Sequence, residues 1–372
     1  GVDATLIPLF TTGTHDLFGV GIDAVPAQDA HGLGFPGFQA MGLGVGPGPG
    51  QNYDSMHNPE PGEYYFHFPD GNASIARLLV RRLVPAAFRH PERSEGAEAI
   101  VTARADYARL DRPGNEVRIR LRSPVVQVRH DGPVSVASSA TVTYAAGREA
   151  RSVRAGAVIL ACWHTSIPYL CTELPAAQRD ALAFAVKVPM VYTNVFIRNW
   201  RAFTNLGVSR VTAPGFWHPN VTLDFPVTVG SYGHSRSPDE PIVLHLSKAA
   251  CRPGLPVREQ HREGRIELIR TPFETIERGI RDQLTRILGP GGFDAANDIL
   301  GITVNRWPHG YAYQYNSLYD RFWLEGGETP CEVARRPFGR IAIANADAGA
   351  YSYTDAAIDH AHRAVQDLLR LG

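Results

Sequence analysis

The stretch that most constrains this chain is "FGRIAIANADAGAYSYTDAAIDHAHRAV", residues 338–365, which holds its last apolar run. An apolar segment, a turn built mostly from small residues and a helix opening on Thr-Asp come in direct succession. Such a unit commits the chain to an α/β layer, because the strand needs cover and the helix must fold back over it. The bare turn adds a second constraint. Amides at a helix N-terminus have no intrahelical partners, so a turn without bulk lets them face solvent or the oxygens of a ligand. Asn345, Ala346, Ala348 and Gly349 keep side chains out of the way, and Asp355 stands where the helix dipole favours an acid. Two readings are open: an ordinary strand–helix connection, or a seat for a polar, partly anionic cofactor.

The rest of the pattern agrees with an α/β protein. "EVRIRLRSPVVQVRH", "SVASSATVTYAAGRE" and "SVRAGAVILACW" are alternating, Val-rich segments separated by Gly and Asp turns. Ala157, Val158, Ile159, Leu160 and Ala161 are apolar at successive positions, which predicts a strand covered on both faces. Upstream, Asp70-Gly71-Asn72 is a turn with capping side chains, and Ile75, Leu78, Leu79 and Leu83 repeat at helical spacing until Pro85. Downstream, "LPAAQRDALAFAV" reads as a helix and "KVPMVYTNVFIRNW" as a strand. In "RTPFETIERGIRDQLTRILGPGG", Thr271 and Glu274 form a capping-box pattern around Pro272. Phe273, Ile276, Ile280, Leu284 and Ile287 then line one face. The last helix, over 355–371, is expected to bury Ile358, Ala361, Val365 and Leu368.

Composition removes several function classes. Lys+Arg 37 balances Asp+Glu 37, so no net field draws the chain to nucleic acid or an anionic membrane. No apolar run approaches the roughly 20 residues of a membrane span, and 372 residues allow two domains. The four cysteines (162, 171, 251 and 331) lack metal-site spacing and read as structural thiols. "GLGVGPGPG" is read as loop, because no strand enters it and its prolines remove amides. "VGSYG" around Ser231 has the wrong spacing for a nucleophile elbow, and His360 and His362 stand too close for a zinc helix.

One segment is strongly aromatic. Trp307, Tyr311, Tyr313, Tyr315, Tyr319 and Trp323 fall within "NRWPHGYAYQYNSLYDRFW", and the alternation of 311, 313 and 315 sets three phenols on one face of an extended segment. Aromatic faces hold cationic amines at roughly 0.5–2 kcal/mol each. The same residues also serve as ordinary core. Asp224 in "VTLDFPVTVG" can answer an ammonium or simply end a strand.

These features carry a resemblance. Ala344-Asn345-Ala346-Asp347 and Ser352-Tyr353-Thr354-Asp355-Ala356-Ala357 resemble the two blocks of the C-terminal flavin motif of the flavin amine oxidase superfamily, with Asn for Gly and Asp for Glu. "FPDGNASIARLLVRRL", "VILACWHTSIPYLC", "VYTNVFIRNW" and "NRWPHGYAYQYNSLYD" are similar to the spermidine dehydrogenase family within it, and the similarity covers nearly the whole chain. The resemblance implies an α/β, FAD-binding Rossmann-like domain interwoven with an α+β substrate domain, here over 69–165 with 333–372 and 1–68 with 166–332. It implies FAD as cofactor, admits a haem, and implies oxidation of a polyamine such as spermidine at a C–N bond. Carried over, Asn345, Asp347, Tyr353, Thr354 and Asp355 are cofactor-binding, with the Thr354 amide on the flavin's pyrimidine end. Asp70-Gly71 forms the turn back to the cofactor domain, and the Val125 backbone meets the adenine. Trp307, Tyr311, Tyr313 and Tyr315 wall the amine, and Asp224 meets its distal ammonium. The electron acceptor stays undefined; an exported, periplasmic protein is compatible with the family.

Departures from the family matter too. Its N-terminal βαβ unit with G-x-G-x-x-G is not found, which leads to the expectation of a truncated chain that binds FAD weakly and turns nothing over. The strand "VPMVYTNVFIRNW" carries no lysine where many relatives have one, and Tyr192 falls near that place. His309 is the histidine in the most aromatic setting. The competing reading is a cofactor-free module that holds a cationic amine in an aromatic pocket.

Overall fold

The computed structural model describes residues 3–6, 10–11, 13–32, 34–44, 67–88, 97–320 and 327–371. Part of the Gly/Pro stretch and Trp323 lie outside the described residues.

The fold is α/β, with its strands in three sheets. β1 (Val125–His130), β2 (Ala140–Ala146) and β3 (Glu149–Ala155) form an antiparallel meander. Gly147, at φ 65°, supplies the left-handed residue in the short β2–β3 connection. β4 (Val158–Leu160) runs parallel to β10 (Ile341–Ile343), joining segments far apart in the chain. β5 (Val188–Ile197), β6 (Arg210–Thr212), β7 (Asn220–Leu223), β8 (Ile242–Ala249) and β9 (Ile299–Tyr311) form a five-stranded antiparallel sheet in the order β6-β7-β8-β5-β9. Helices α1 (His15–Phe18), α2 (Ala73–Leu83), α3 (Ala176–Phe184), α4 (Val257–Arg270), α5 (Phe273–Leu288), α6 (Pro330–Ala334) and α7 (Thr354–Leu369) pack around these sheets.

The five-stranded sheet positions the site because its two faces differ. Side chains alternate along a strand. Val191, Thr193, Val195 and Ile197 of β5 are buried. Val195 and Ile197 join Leu244, Leu246, Ile276, Ile280, Leu284 and Leu288 in the largest core cluster, so α5 covers this face. Tyr192 and Phe196 point the other way and stay about two-fifths exposed (39% and 41%). That second face is open at Tyr192 and Phe196 and closed at Val188 and Met190, which are buried.

Several expectations are corrected. Thr271 does not cap α5; its hydroxyl donates to the Glu267 carbonyl at 2.7 Å, and the N-cap position is Pro272. The preceding helix ends there, so Thr271 serves its last turn. A capping box does form at α6, between Thr329 and Glu332 around Pro330. The face of α5 is as expected except at Phe273, which is exposed. On α2, Leu79 and Leu83 are exposed while Leu78 and Val80 pack on Val84, Phe88, Ile100 and Leu110. Asn72 makes no side-chain cap on this helix.

On α7, Ile358, Ala361 and Val365 are exposed, and the helix instead buries Ala356 and Ala364, with Leu368 beside them. Small residues win this contact because they let α7 lie close on Ala342 and Ala344. The burial on both faces expected for 157–161 is not found: Ala157, Ile159 and Ala161 are exposed, Ile159 at 37%, and it is the partner strand β10 that is wholly buried. The segment 116–123 is irregular rather than strand.

Leu284 is fully buried in the main core. Leu284→Ala is expected to lower stability by about 2–5 kcal/mol, through lost transfer energy and an unfilled cavity. A urea titration checks this by the shift in midpoint.

Candidate functional site

The site is built on the turn after β10. Asn345 has φ 94° and ψ 160°, a region that only glycine occupies without strain, and Ala350 lies in the left-handed region at φ 49°. Between them a short 3-10 turn, Ala346–Gly349, carries Asp347. Asp347 is buried and fully engaged: Lys187 Nζ donates to its Oδ1 at 2.6 Å, and the His164 amide donates to its Oδ2 at 3.0 Å. Lys187, immediately before β5, is itself buried. Arg335 donates to the Ala348 carbonyl at 3.0 Å and fixes the far side of the turn.

The next helix begins without a side-chain cap at Tyr353, so its first-turn amides are not satisfied in that way. Asn72 Nδ2 donates to Thr354 Oγ1 at 2.7 Å, bringing the Asp70–Gly71 turn, with Gly71 at φ 67°, to the start of α7. Ser74 Oγ donates to Asp70 Oδ1 at 2.5 Å, and Arg77 adds an ion pair at 3.2 Å. Gln314 Nε2 donates to Ser352 Oγ at 3.0 Å, linking the aromatic segment to the same turn. The rings of Tyr351 and Tyr353 stack at 4.6 Å. Of the expected cofactor residues, Asp70, Gly71, Asn345, Asp347, Tyr353, Thr354 and Asp355 thus share one neighbourhood. Val125 stands at the exposed start of β1, beside an irregular pairing with β2.

The aromatic segment divides. Trp307 on β9 is half exposed, in register with Met190 of β5, and Tyr311 is in register with Val188. Burial pushes the Tyr311 phenol up to about 12, and the charges of Asp16, Tyr192 and Tyr353 push the same way. Tyr311 therefore has the sheet's Tyr192 and the turn's Tyr353 as electrostatic neighbours. A cavity beside it is lined by Leu17, Phe18, Val188, Gln314 and Ser352. Tyr315 lines the same cavity, whereas Tyr313 does not. Tyr313 is buried, donates to Asp320 at 2.5 Å and meets Phe184 edge-on at 5.4 Å. Tyr315 also packs on Phe184, and its hydroxyl accepts from the Cys331 amide at 2.9 Å. The chain leaves β9 after Tyr311, so strict alternation no longer applies and these two phenols enter the core.

Asp224 does not stand open either. Its Oδ1 is 2.8 Å from His245 Nε2 and accepts from the Phe225 amide at 2.9 Å, while His245 Nδ1 is 2.9 Å from Asn194 Oδ1. His309 stacks on Trp163 at 4.5 Å, tilted by 40°. Among the described residues, no group of three or more His, Cys, Asp or Glu side chains is placed to hold a metal ion.

Sequence reasoning missed Lys187. It looked for a lysine inside the strand, whereas Lys187 lies one residue before it and reaches Asp347. The available signal was a lone charge within the apolar run "ALAFAVKVPMV", where a buried cation must find an anion. Beside Tyr192, the open face also brings in His245 and Asp16, which no local motif marks.

No protein-family model matches the chain, and no curated protein matches it. Among solved structures, the fold is similar to cyclohexylamine oxidase from Brevibacterium oxydans IH-35A, at 14% identity and TM-score 0.44, over 66% of this chain and 48% of that one. It is similar to a single mutant of putrescine oxidase redesigned for cofactor binding, at 17% identity and TM-score 0.49, over 70% and 50%. It is also similar to wild-type putrescine oxidase bound to putrescine, at 18% identity and TM-score 0.45, over 69% and 50%. The chain spans about half the length of the solved structures it matches.

The site yields three measurable consequences. Lys187→Met leaves the buried Asp347 carboxylate without its cation and is expected to cost about 3–5 kcal/mol, with Lys187→Met/Asp347→Asn losing less than the sum of the single changes. A denaturant double-mutant cycle reads this coupling. Asn345→Gly relieves the strained φ and is expected to raise stability by about 1 kcal/mol, seen as a higher thermal midpoint.

The third concerns pH. Burial lowers His164 to about 4, His261 to about 4 and His218 to about 3. Below their ordinary value of 6.5 the unfolded chain takes up these protons before the folded one. The stability these neutral rings contribute is thus complete above pH 6.5 and lost as pH falls through their folded values, by on the order of 3 kcal/mol per ring. The urea midpoint should already drop between pH 6.5 and 5, where most carboxylates remain ionised; a flat midpoint there contradicts the burial.

Proposed function

We propose that this chain belongs to a flavin-dependent oxidoreductase that acts on the C–N bond of an amine, with FAD as cofactor and a polyamine such as spermidine as substrate. The observation that carries the proposal is the turn after β10. Two non-glycine residues are held at positive φ there, beside helix amides that lack a side-chain cap, and Asn72 draws the Asp70–Gly71 turn onto Thr354. Strain of this kind is kept where the backbone must approach a ligand closely. In this reading residues 69–165 and 333–372 serve the cofactor, and 1–68 and 166–332 serve the substrate.

The residues fit FAD in a definite way. The Thr354 amide and the α7 dipole suit the electron-rich pyrimidine end, and Asn345, Gly71 and Tyr353 surround the approach. When bound, FAD supplies a hydride acceptor for the carbon beside the amine nitrogen. Trp307, Tyr311 and Tyr192 present aromatic walls, which favour a cationic amine on entry. An amine pressed against these walls loses part of its hydration, which lowers its pKa, as hydride loss requires a neutral nitrogen. Asp347 acts through structure: with its carboxylate on Lys187 and His164, it holds the turn in shape.

A second reading, an amine-binding module without cofactor, draws support from that engagement, because Asp347 has no carboxylate oxygen left without a partner. Absorbance spectra separate the two. The purified chain is titrated with FAD, then with spermidine under anaerobic conditions. Weak FAD binding, with bands that spermidine bleaches little or not at all, is the expected outcome, and full bleaching would show turnover as well. A chain that leaves the FAD spectrum unchanged yet binds spermidine by calorimetry selects the module and rejects the flavoenzyme.

A further inference from the structure

We infer that Asp16 is the anionic anchor for the distal, non-reacting ammonium of a diamine lying over the open face of the five-stranded sheet. The inference rests on the amine reading above and names a residue that neither the motifs nor the family resemblance marked.

Asp16 lies in α1, which packs on β8. Its Oδ2 accepts from Asn220 Nδ2 at 2.5 Å and from Ser247 Oγ at 2.6 Å, and its Oδ1 accepts from the Ala249 amide at 3.1 Å. All three donors are neutral. Among the described residues no Lys, Arg or His nitrogen lies within the 4.0 Å of an ion pair. The neighbouring Lys248 is turned to the other face, where it pairs with Glu267 at 2.8 Å and lies over Trp217. Of the other carboxylates considered, Asp224 is taken by His245, Asp347 by Lys187 and Asp70 by Arg77. Asp16 is thus a half-buried carboxylate, fixed in orientation, whose charge no cation among the described residues offsets.

Register places that charge among the aromatics. Asn220 pairs with Ser247, Ser247 with Tyr192, and Tyr192 with Asn305, forming one row across β7, β8, β5 and β9. Of the two side chains that hold Asp16, Ser247 therefore adjoins Tyr192, and Asn220 lies one strand further along the row. Burial raises the phenol pKa of both Tyr192 and Tyr311, and the negative charge of Asp16 adds to it in each case. A carboxylate keeps a nearby ammonium charged, whereas hydride loss needs a neutral nitrogen. Asp16 therefore suits the nitrogen that does not react, and the ligand class is a diamine rather than a monoamine.

Calorimetric titration of the FAD-supplemented chain with diaminobutane and with butylamine tests this. Wild type is expected to prefer the diamine by roughly 10- to 100-fold, the range for a hydrogen bond to a charged group. Asp16→Asn should abolish the preference while leaving butylamine affinity unchanged, with a thermal melt confirming the fold. Asp16→Glu keeps the charge but advances it by one methylene, so the preferred diamine should become the next shorter one. A purely structural role would not move that optimum. If Asp16→Asn keeps the diamine preference, or Asp16→Glu leaves the optimum in place, the anchor is overturned while the amine reading stands. If wild type binds neither amine, the amine reading and the anchor fall together.

Discussion

The arrangement depends on one buried ion pair. Lys187 and Asp347 are 160 positions apart in sequence and 2.6 Å apart in space, both away from water. Burying two charges is costly, and such a pair seldom stabilises a fold more than apolar residues would. Its contribution here is position. Lys187 leads into β5, the strand that carries Tyr192, while Asp347 sits in the turn that leads into α7. The second oxygen of Asp347 holds the His164 amide, just beyond β4. One carboxylate therefore registers β4, the turn after β10 and the mouth of the antiparallel sheet against one another. The strained φ of Asn345 persists because Asp347, two residues on, is held on both oxygens.

Periodicity made the frame legible. The alternation in 125–155, the apolar runs at 158–160 and 341–343 and the amphipathic α5 are local patterns, and each is found where those patterns predict an element. What local pattern could not supply was the partner of each face. Ile358 and Val365 fit an inward stripe on α7, yet close approach to β10 favoured Ala356 and Ala364. Thr271 and Glu274 had the spacing of a capping box, but Thr271 was claimed by the helix before it. Thr329 and Glu332 had the same spacing and kept it, with the Thr329 side chain and amide both engaged with the first turn of α6.

The candidate site was half legible for a related reason. The backbone part is written locally, in small residues at 344–350, and could be read from composition. The side-chain part is assembled from contacts such as Asn72–Thr354 and Asp16–Ser247, separated by 282 and 231 positions. Nothing in the local spacing of Tyr311, Tyr313 and Tyr315 says that the strand stops after the first of them. That stop sends Tyr313 to Asp320 and Tyr315 to Cys331; only Tyr311 of the three stays in the strand, with Tyr315 lining the cavity beside it.

The resulting charge order gives the site a direction. At one end lies the N-terminus of α7, whose dipole is positive and whose first amides carry no side-chain cap. In the middle stand Tyr311, Tyr192 and Trp307, neutral and aromatic. At the other end lies Asp16, held by neutral donors and balanced by no cation among the described residues. On the proposed amine reading, a molecule with two amines would place its charged nitrogen on Asp16 and turn the other toward α7, where the positive potential favours loss of its proton. The same positive potential favours electron density arriving beside α7. Orientation, deprotonation and acceptance of electrons would then arise from a single electrostatic gradient, fixed across the sheet by the strand register and anchored at its α7 end by the Lys187–Asp347 pair.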